Sequence, residues 1–316
     1  MGDRKAIVVG AAGQDGQLLR DALRSQGAEV VDVDRGGVVS ARSEWNHRPL
    51  DVCDRPAVLR LVGNVQPHEI YYLAAHHNAS EGAVESPGEL LESSLRTNVL
   101  GLVAFLEAIR TSGSPARLFY AGSSHVFGHP RATPQDETTA FNPENAYGIS
   151  KAAGIFACRL YRANHDVFAS TGILYNHESW LRRETFVSRK IVMAVAAIRK
   201  GDKSTLALGN LEARVDWGFA PDYVTAMQCI VRHRIADDFV VASGQARTVR
   251  EFAQVAFAAA GLDYREHVVG DPSLPVRPQP PLVGNSAKLK SETGWRPTVS
   301  FEEMVTALVQ RELAAG

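Results

Sequence analysis

Short apolar runs alternate with helical patterns through the first half of the chain. Residues 6–10 (AIVVG) make a run of the length of a buried strand, and residues 16–27 (GQLLRDALRSQG) then repeat apolar positions at helical spacing. The alternation continues with a strand at 28–34 (AEVVDVD), a helix at 55–65 (RPAVLRLVGNV) and a strand at 69–75 (EIYYLAA). A long helix follows from about Glu89 to Ser112, then a strand at 117–122, a helix at 145–164 and a strand at 166–175. Buried strands separated by helices imply right-handed crossovers and a parallel, doubly wound sheet.

After Tyr175 the pattern is less regular. Helices are expected at 188–201, ending on Gly201, and at 221–233, with a late strand at 239–244. Residues 248–261 open with Thr248 and Glu251, a capping-box pair, and end on a glycine. A proline-rich loop covers 270–281, and a helix closes the chain over 300–316. There is no internal repeat and no low-complexity tail.

The chain has 316 residues, with 34 basic and 35 acidic side chains. That length suits one large domain and a smaller one. Near-neutrality argues against a nucleic-acid or anionic-membrane partner, because no basic excess exists to meet phosphates. No apolar run is long enough to span a bilayer. The N-terminus enters a strand at once, which leaves no room for a secretory signal. Cys53, Cys158 and Cys229 are scattered and odd in number, so neither a disulfide framework nor a metal site is expected, and a reducing cytoplasm fits.

Gly10, Gly13 and Gly16 follow the first strand directly and open a helix, in the spacing GxxGxxG with Gln14 and Asp15 between the last two. Glycines let the backbone turn tightly and approach a pyrophosphate at the positive helix N-terminus. The pattern alone is weak, since strand-to-helix turns use glycine anyway. An acid at the end of the second strand, Asp34, strengthens it. Such a carboxylate accepts hydrogen bonds from an adenosine ribose and favours NAD over NADP. Arg35 complicates that choice, because an arginine there can hold a 2′-phosphate. Asp51 either faces the adenine or lies on the surface.

Tyr147 and Lys151 are four apart on an expected helix and therefore share a face. A lysine ammonium and a cationic nicotinamide nearby would favour the phenolate. Such a tyrosine can take a proton from a sugar hydroxyl while hydride leaves the same carbon. YxxxK is common by chance. It gains meaning when a strand end carrying serine precedes it by about two dozen residues, and Ser123 does so.

With these residues in place, the chain resembles the extended short-chain dehydrogenase/reductases that act on nucleotide sugars. Within that superfamily it is most similar to the GDP-mannose 4,6-dehydratases. The resemblance rests on GAAGQDG, GILYNHES (172–179), ETFVSRKI (184–191), LGNLEARVDWG (208–218) and DYVTAM (222–227), and runs over nearly the whole chain. It implies a Rossmann-type doubly wound parallel sheet with a smaller C-terminal α/β substrate-binding domain. Residues 1–174 would bind NAD(P), with later strands returning to the sheet, and residues 175–316 would mainly bind the nucleotide sugar. It adds Val52, Leu73, Ala74, Ala75 and Asn98 to the cofactor-binding set. It places Ser124, Asn176, Glu178, Val187, Lys190, Asn210, Arg214 and Arg277 around the substrate, with Arg277 on the diphosphate. It also implies a homo-oligomer, a dimer or tetramer.

The sequence departs from that family at several points. Ser123 and His125 stand where the family has threonine and glutamate. Val215 replaces a phosphate-facing arginine, Trp180 and Leu181 alter the loop after NHES, and residues 277–282 lack the family's glutamate. His125 therefore stands where the acid/base of water elimination belongs. Three readings follow: His125 replaces the glutamate, elimination is lost, or the imidazole only packs beside the site. The expected activity is NAD(P)-dependent oxidation at carbon 4 of a GDP-linked hexose or heptose, as in a 4,6-dehydratase. The alternative is a GDP-sugar 4-dehydrogenase, 4-ketoreductase or epimerase without the elimination. A catalytically dead dinucleotide-binding regulator is a further class, and intact Ser123, Tyr147 and Lys151 speak against it.

Overall fold

Strands buried on both faces need helices on both sides, and the first half of the chain follows that rule. The structure, a computed structural model, describes residues 4–34, 37–39, 50–76, 85–202, 205–271 and 282–315. The first part runs β1 (Lys5–Val9), α1 (Gln14–Ser25), β2 (Glu29–Asp34), β3 (Gly37–Val39), α2 (Arg55–Val65) and β4 (Glu69–Tyr72). It continues through α3 (Pro87–Leu95), α4 (Gly101–Ser112), β5 (Arg117–Ser123), α5 (Ala146–His165) and β6 (Ala169–Leu174). Then come β7 (Asn176–Glu178), α6 (Val187–Arg199), β8 (Leu206–Leu208), β9 (Arg214–Phe219), α7 (Ala220–Arg232) and β10 (Asp238–Val241). The last elements are β11 (Ala246–Thr248), α8 (Val249–Ala259), β12 (Val268–Gly270), α9 (Ala287–Thr293) and α10 (Phe301–Ala315).

Local chemistry sets several of these boundaries. Asp54 caps α2 by accepting from Ala57 N. Ser86 with Glu89, and Thr248 with Glu251, close capping boxes at α3 and α8. The long helix expected over 89–112 is present as α3 and α4, joined by a π turn at Arg96–Leu100 that carries buried Asn98. π turns within helices are frequent at functional sites.

Among the described residues the main sheet has seven strands, in the order β10-β6-β5-β4-β1-β2-β3. β3 pairs antiparallel with β2, and the other pairs are parallel. The sequence neighbours of β1 diverge here: β2 lies on one side and β4 on the other. That switch point opens a crevice at the C-terminal strand ends, where ligands bind in such sheets. The β5–β6 register ends at Ser123 opposite Leu174, which brings the loop after each strand to the same edge.

One face of the sheet packs on α2, α4 and α5, with Val58, Phe105 and Ile155 at its centre. The other packs on α1, α7 and α9, with Leu19, Tyr223 and Leu289. β10 and α7, which follow β7 in sequence, thus belong to this main body. A third core gathers α6, α8 and α10 around Trp217 of β9, Phe252 and Val305.

Candidate active site

A cleft of about 1210 Å³ opens at the C-terminal ends of β1, β2, β4, β5 and β6. Its floor is the turn after β1. Gly10 has φ +90°, and a Cβ there would lie 2.6 Å from Ala74 N. A Cβ on Gly16 would overlap the Gly10 carbonyl. Both positions therefore require glycine, and the turn can press against the residues that follow β4, while the Gly10 and Ala11 amides donate to the Val33 carbonyl and the Gly13 amide to the Gly10 carbonyl. Asp34 Oδ2 accepts from Ala12 N at 2.9 Å, so the acid ending β2 also braces this turn. Left-handed turn, helix N-terminus and strand-end acid together fit a dinucleotide.

At one end of the cleft Asp51 pairs with Arg96 at 2.9 Å and accepts from Cys53 N. The Cys53 amide and the Arg96 guanidinium hold its carboxyl below the ordinary range. Val52, Leu73, Ala74 and Ala75 line the adjoining wall. Asn98 lies behind that wall rather than on it. Its side chain accepts from His76 N at 2.8 Å and donates to Ser150 Oγ at 2.8 Å, and Ser150 Oγ donates to the Tyr147 carbonyl. The π turn thus ties the end of β4 to the first turns of α5.

Ser123, His125, Tyr147 and Lys151 converge on the cleft. α5 approaches β5 closely because Gly154 has no Cβ to collide with Tyr120 Oη. Lys151 is 1% exposed, and its Nζ donates to the Ala121 carbonyl at 2.7 Å. It lies 4.9 Å from the Tyr120 ring centre and 5.5 Å from that of Tyr147. Burial lowers the Lys151 amine to about 7, with Asp15 opposing that shift. Burial raises the Tyr147 phenol to about 12, and its hydrogen bond with Ser123 opposes that rise. Without a cationic ligand, then, the phenol is neutral and the amine is poised to lose its proton.

His125 stands edge-on to Tyr147, with ring centres 5.7 Å apart. Burial lowers its pKa, so the imidazole is neutral at pH 7. Asn145, the N-cap of α5, fixes the tautomer. Its Oδ1 accepts from Gly148 N at 2.8 Å, which turns its Nδ2 toward His125 Nδ1 at 3.3 Å. An amide N–H can only donate, so Nδ1 accepts and Nε2 carries the proton.

The opposite wall comes from residues 174–186. Asn176 lines it, as do His177, Arg182, Arg183 and Phe186. Arg182 stacks on Phe186 at 3.7 Å and pairs with buried Glu178 at 3.2 Å. Glu178 also accepts from Ser188 Oγ, so it supports the wall from behind.

The sequence profile of the GDP-mannose 4,6 dehydratase family matches residues 7–308. The chain belongs to that family. GDP-mannose 4,6 dehydratase 1 of Arabidopsis thaliana is 34% identical over 334 residues, spanning 98% of this chain and 89% of its own. The GDP-mannose 4,6-dehydratase of Yersinia enterocolitica is 32% identical over 354 residues, spanning 98% and 94%. Two solved structures share the fold. RMD from Pseudomonas aeruginosa complexed with NADPH gives a TM-score of 0.84 at 20% identity, over 99% of this chain and 100% of that one. The UDP-glucose 4-epimerase of Thermus thermophilus in complex with NAD gives 0.81 at 23%, over 99% and 100%.

Several residues expected from the GDP-mannose 4,6-dehydratase resemblance lie off the cleft lining. Ser124 is buried beside it in the turn after β5. Val187 packs on the third core, and Lys190 is half-buried one turn further along α6. Asn210 accepts from Glu212 N in a loop turn. Arg214 is exposed on β9, while its neighbour Val215 packs on the third core. Arg35 and Arg277 lie outside the described residues. The sequence reading missed His177, Arg182 and Arg183. Their signal was the motif itself: His177 stands between two residues singled out, and the arginine pair follows Trp180 and Leu181 directly.

Proposed function

We propose that the chain converts a GDP-linked hexose to its 4-keto-6-deoxy form, with a nicotinamide dinucleotide held in the cleft. The observation that carries this reading is the cluster of Ser123, His125, Tyr147 and Lys151 at the sheet edge, beside a turn that fits a diphosphate. When bound, the nicotinamide would accept hydride from carbon 4 and return it to carbon 6. Gly10, Gly13 and the start of α1 would hold the diphosphate, and Asp34 the ribose. A carboxylate at that position disfavours a 2′-phosphate, so NAD is preferred, and tighter binding of NADPH than NADH would contradict this.

Tyr147 takes the proton of the carbon 4 hydroxyl, and Ser123 orients that hydroxyl. The Lys151 amine, which gains its proton readily once a compensating anion forms, steadies the phenolate. The ketone at carbon 4 acidifies the proton on carbon 5. His125 takes that proton and passes it to the hydroxyl leaving carbon 6, which departs as water. The proton gained from carbon 4 balances the one carbon 5 takes back.

A second reading has its own support. Neutral His125 carries its proton on Nε2, so Nε2 starts as a donor. To act as a base there, the ring must change tautomer and give up the Asn145 hydrogen bond, at a cost of about 1 kcal/mol. An enzyme that leaves the tautomer alone would stop at the 4-ketone.

A mass spectrum of GDP-mannose after incubation with the protein and NAD⁺ or NADP⁺ decides between them. Loss of one water is expected. Loss of two hydrogens with oxygen retained would show a 4-dehydrogenase, and no change under any cofactor would contradict the substrate assignment.

A further inference from the structure

The geometry points to His177 as a positioning residue that works as an imidazolium, cancelling the charge of Asp15 so that the turn after β1 can accept an anionic diphosphate. This rests on the reading that the cleft takes a dinucleotide. Asp15 lies in the first turn of α1, beside the amides that would face the phosphates. A bare carboxylate there would repel the anion that the helix N-terminus attracts.

The proton count follows from the partners. His177 Nδ1 is 2.7 Å from the Tyr175 carbonyl, which can only accept, so Nδ1 carries hydrogen. His177 Nε2 is 3.0 and 2.9 Å from the two Asp15 oxygens. Asp15 Oδ1 also accepts from Gln14 Nε2 at 3.1 Å, as an ionised carboxylate does. Nε2 stands almost equally far from both oxygens, as an N–H facing an ionised carboxylate does, and with Asp15 ionised the ring is doubly protonated. It stacks on buried Tyr223 with centres 4.5 Å apart and planes 21° apart, a face that favours a cation.

The electrostatics agree. Burial alone would push His177 down and Asp15 up, but their mutual attraction and hydrogen bonding outweigh it, leaving His177 raised and Asp15 lowered. The surrounding charges come from every side. Arg182 opposes the imidazolium, with Glu178 3.2 Å from Arg182. Lys151 and Tyr147 feel Asp15 from α5, and Tyr223 covers the ring from α7. Because His177 is raised, the clamp is complete below its ordinary value and is lost as pH rises through the shifted one. Because Asp15 is lowered, the acid limb fails only below the ordinary carboxylate range.

The pair also joins two walls of the cleft. Gln14 Nε2 donates to the His177 carbonyl at 3.1 Å, and Ser179 Oγ donates to Gln14 Oε1 at 2.8 Å. β7, which carries Asn176, is thereby held against the phosphate turn.

Two measurements on the full chain test this. The nitrogen chemical shifts of His177 in cofactor-free protein should show both ring nitrogens protonated at pH 7. A neutral ring there overturns the proposal, whatever the cleft binds. NADH affinity, read by fluorescence titration, should fall about tenfold or more in His177→Gln and recover to within about threefold in the Asp15→Asn/His177→Gln double variant. Wild-type affinity should weaken as pH rises through the His177 titration. A double variant as weak as the single one overturns the proposal. If His177→Gln does not fold, Asp15→Asn alone should bind NADH at least as tightly as wild type, and a tenfold loss would contradict the account. Absence of any dinucleotide binding by wild type would sink the cofactor reading and leave the charged pair standing in the spectrum.

Discussion

Asn145 decides which nitrogen of His125 carries the proton, through an amide whose orientation Gly148 N fixes. Asn145→Asp keeps a good N-cap but presents an acceptor to Nδ1, so the bare nitrogen becomes Nε2. The expected outcome is a several-fold rise in dehydrated over 4-keto product, read by mass spectrometry; an unchanged ratio would show that the tautomer does not limit elimination. Tyr147→Phe should lower turnover by about 10²–10⁴-fold while dinucleotide affinity stays within about threefold, and retained turnover would remove the assigned base. Lys151 has a pH signature of its own. Its amine falls from 10.5 to about 7 on folding, so between those values the unfolded chain holds more protons and stability rises with pH. Lys151→Met should therefore gain stability at pH 7, by about 1–4 kcal/mol, and lose that advantage toward pH 10. Urea midpoints at the two pH values check it, and a gain that grows with pH would contradict the assignment.

At the scale of elements, the site depends on how three helices meet the sheet. The π turn at Arg96–Leu100 turns Asn98 inward, where it bridges His76 and Ser150. Asn98→Ala leaves the His76 amide without that acceptor and should cost about 1–3 kcal/mol in urea unfolding, with turnover falling more than KM for the nucleotide sugar rises. An effect on KM alone would place Asn98 at the substrate instead. Much of this level was legible in the sequence. The strands β1, β2, β4, β5 and β6 are apolar runs between helices, and the capping box of α8 is written in Thr248 and Glu251. The π turn was not, because helical periodicity continues through it. The strands β7, β9 and β11 were not either: their pairing is set by distant partners, such as Asn176 opposite Trp217, and the three residues each of β7 and β11 carry too little pattern.

Across the whole molecule, two layers share one seam. Asp222 of α7 accepts from Thr298 N at 2.9 Å, Thr298 Oγ1 at 2.6 Å and Val299 N at 3.3 Å, just before α10 begins. Trp180, next to Leu181 of the cleft wall, is covered by Arg311 of α10 at 3.9 Å, and Arg189 pairs with Glu312 at 2.6 Å. The third core is thus fastened both to the main sheet and to the loop beside the active site. Asp222→Ala should cost about 1–2 kcal/mol, because it removes three hydrogen bonds at once from the segment before α10, and should lower the unfolding midpoint of the whole chain; no change would detach this seam from stability. Among the described residues no helix is long and apolar enough to cross a membrane. At this scale the sequence revealed the doubly wound sheet and the cluster of Ser123, His125, Tyr147 and Lys151. It did not reveal that His177 answers Asp15 across 162 positions, since no local pattern marks so distant a pair.

The central claim is that one cluster performs two separable steps, proton removal at carbon 4 by Tyr147 and at carbon 5 by His125. It is tested most directly by running GDP-mannose with wild type and His125→Ala in deuterium oxide and locating deuterium in the products. The account predicts a dehydrated product labelled at carbon 5 from wild type, and 4-keto sugar without water loss or label from His125→Ala. Labelled, dehydrated product from His125→Ala, or equal loss of both steps, would contradict it.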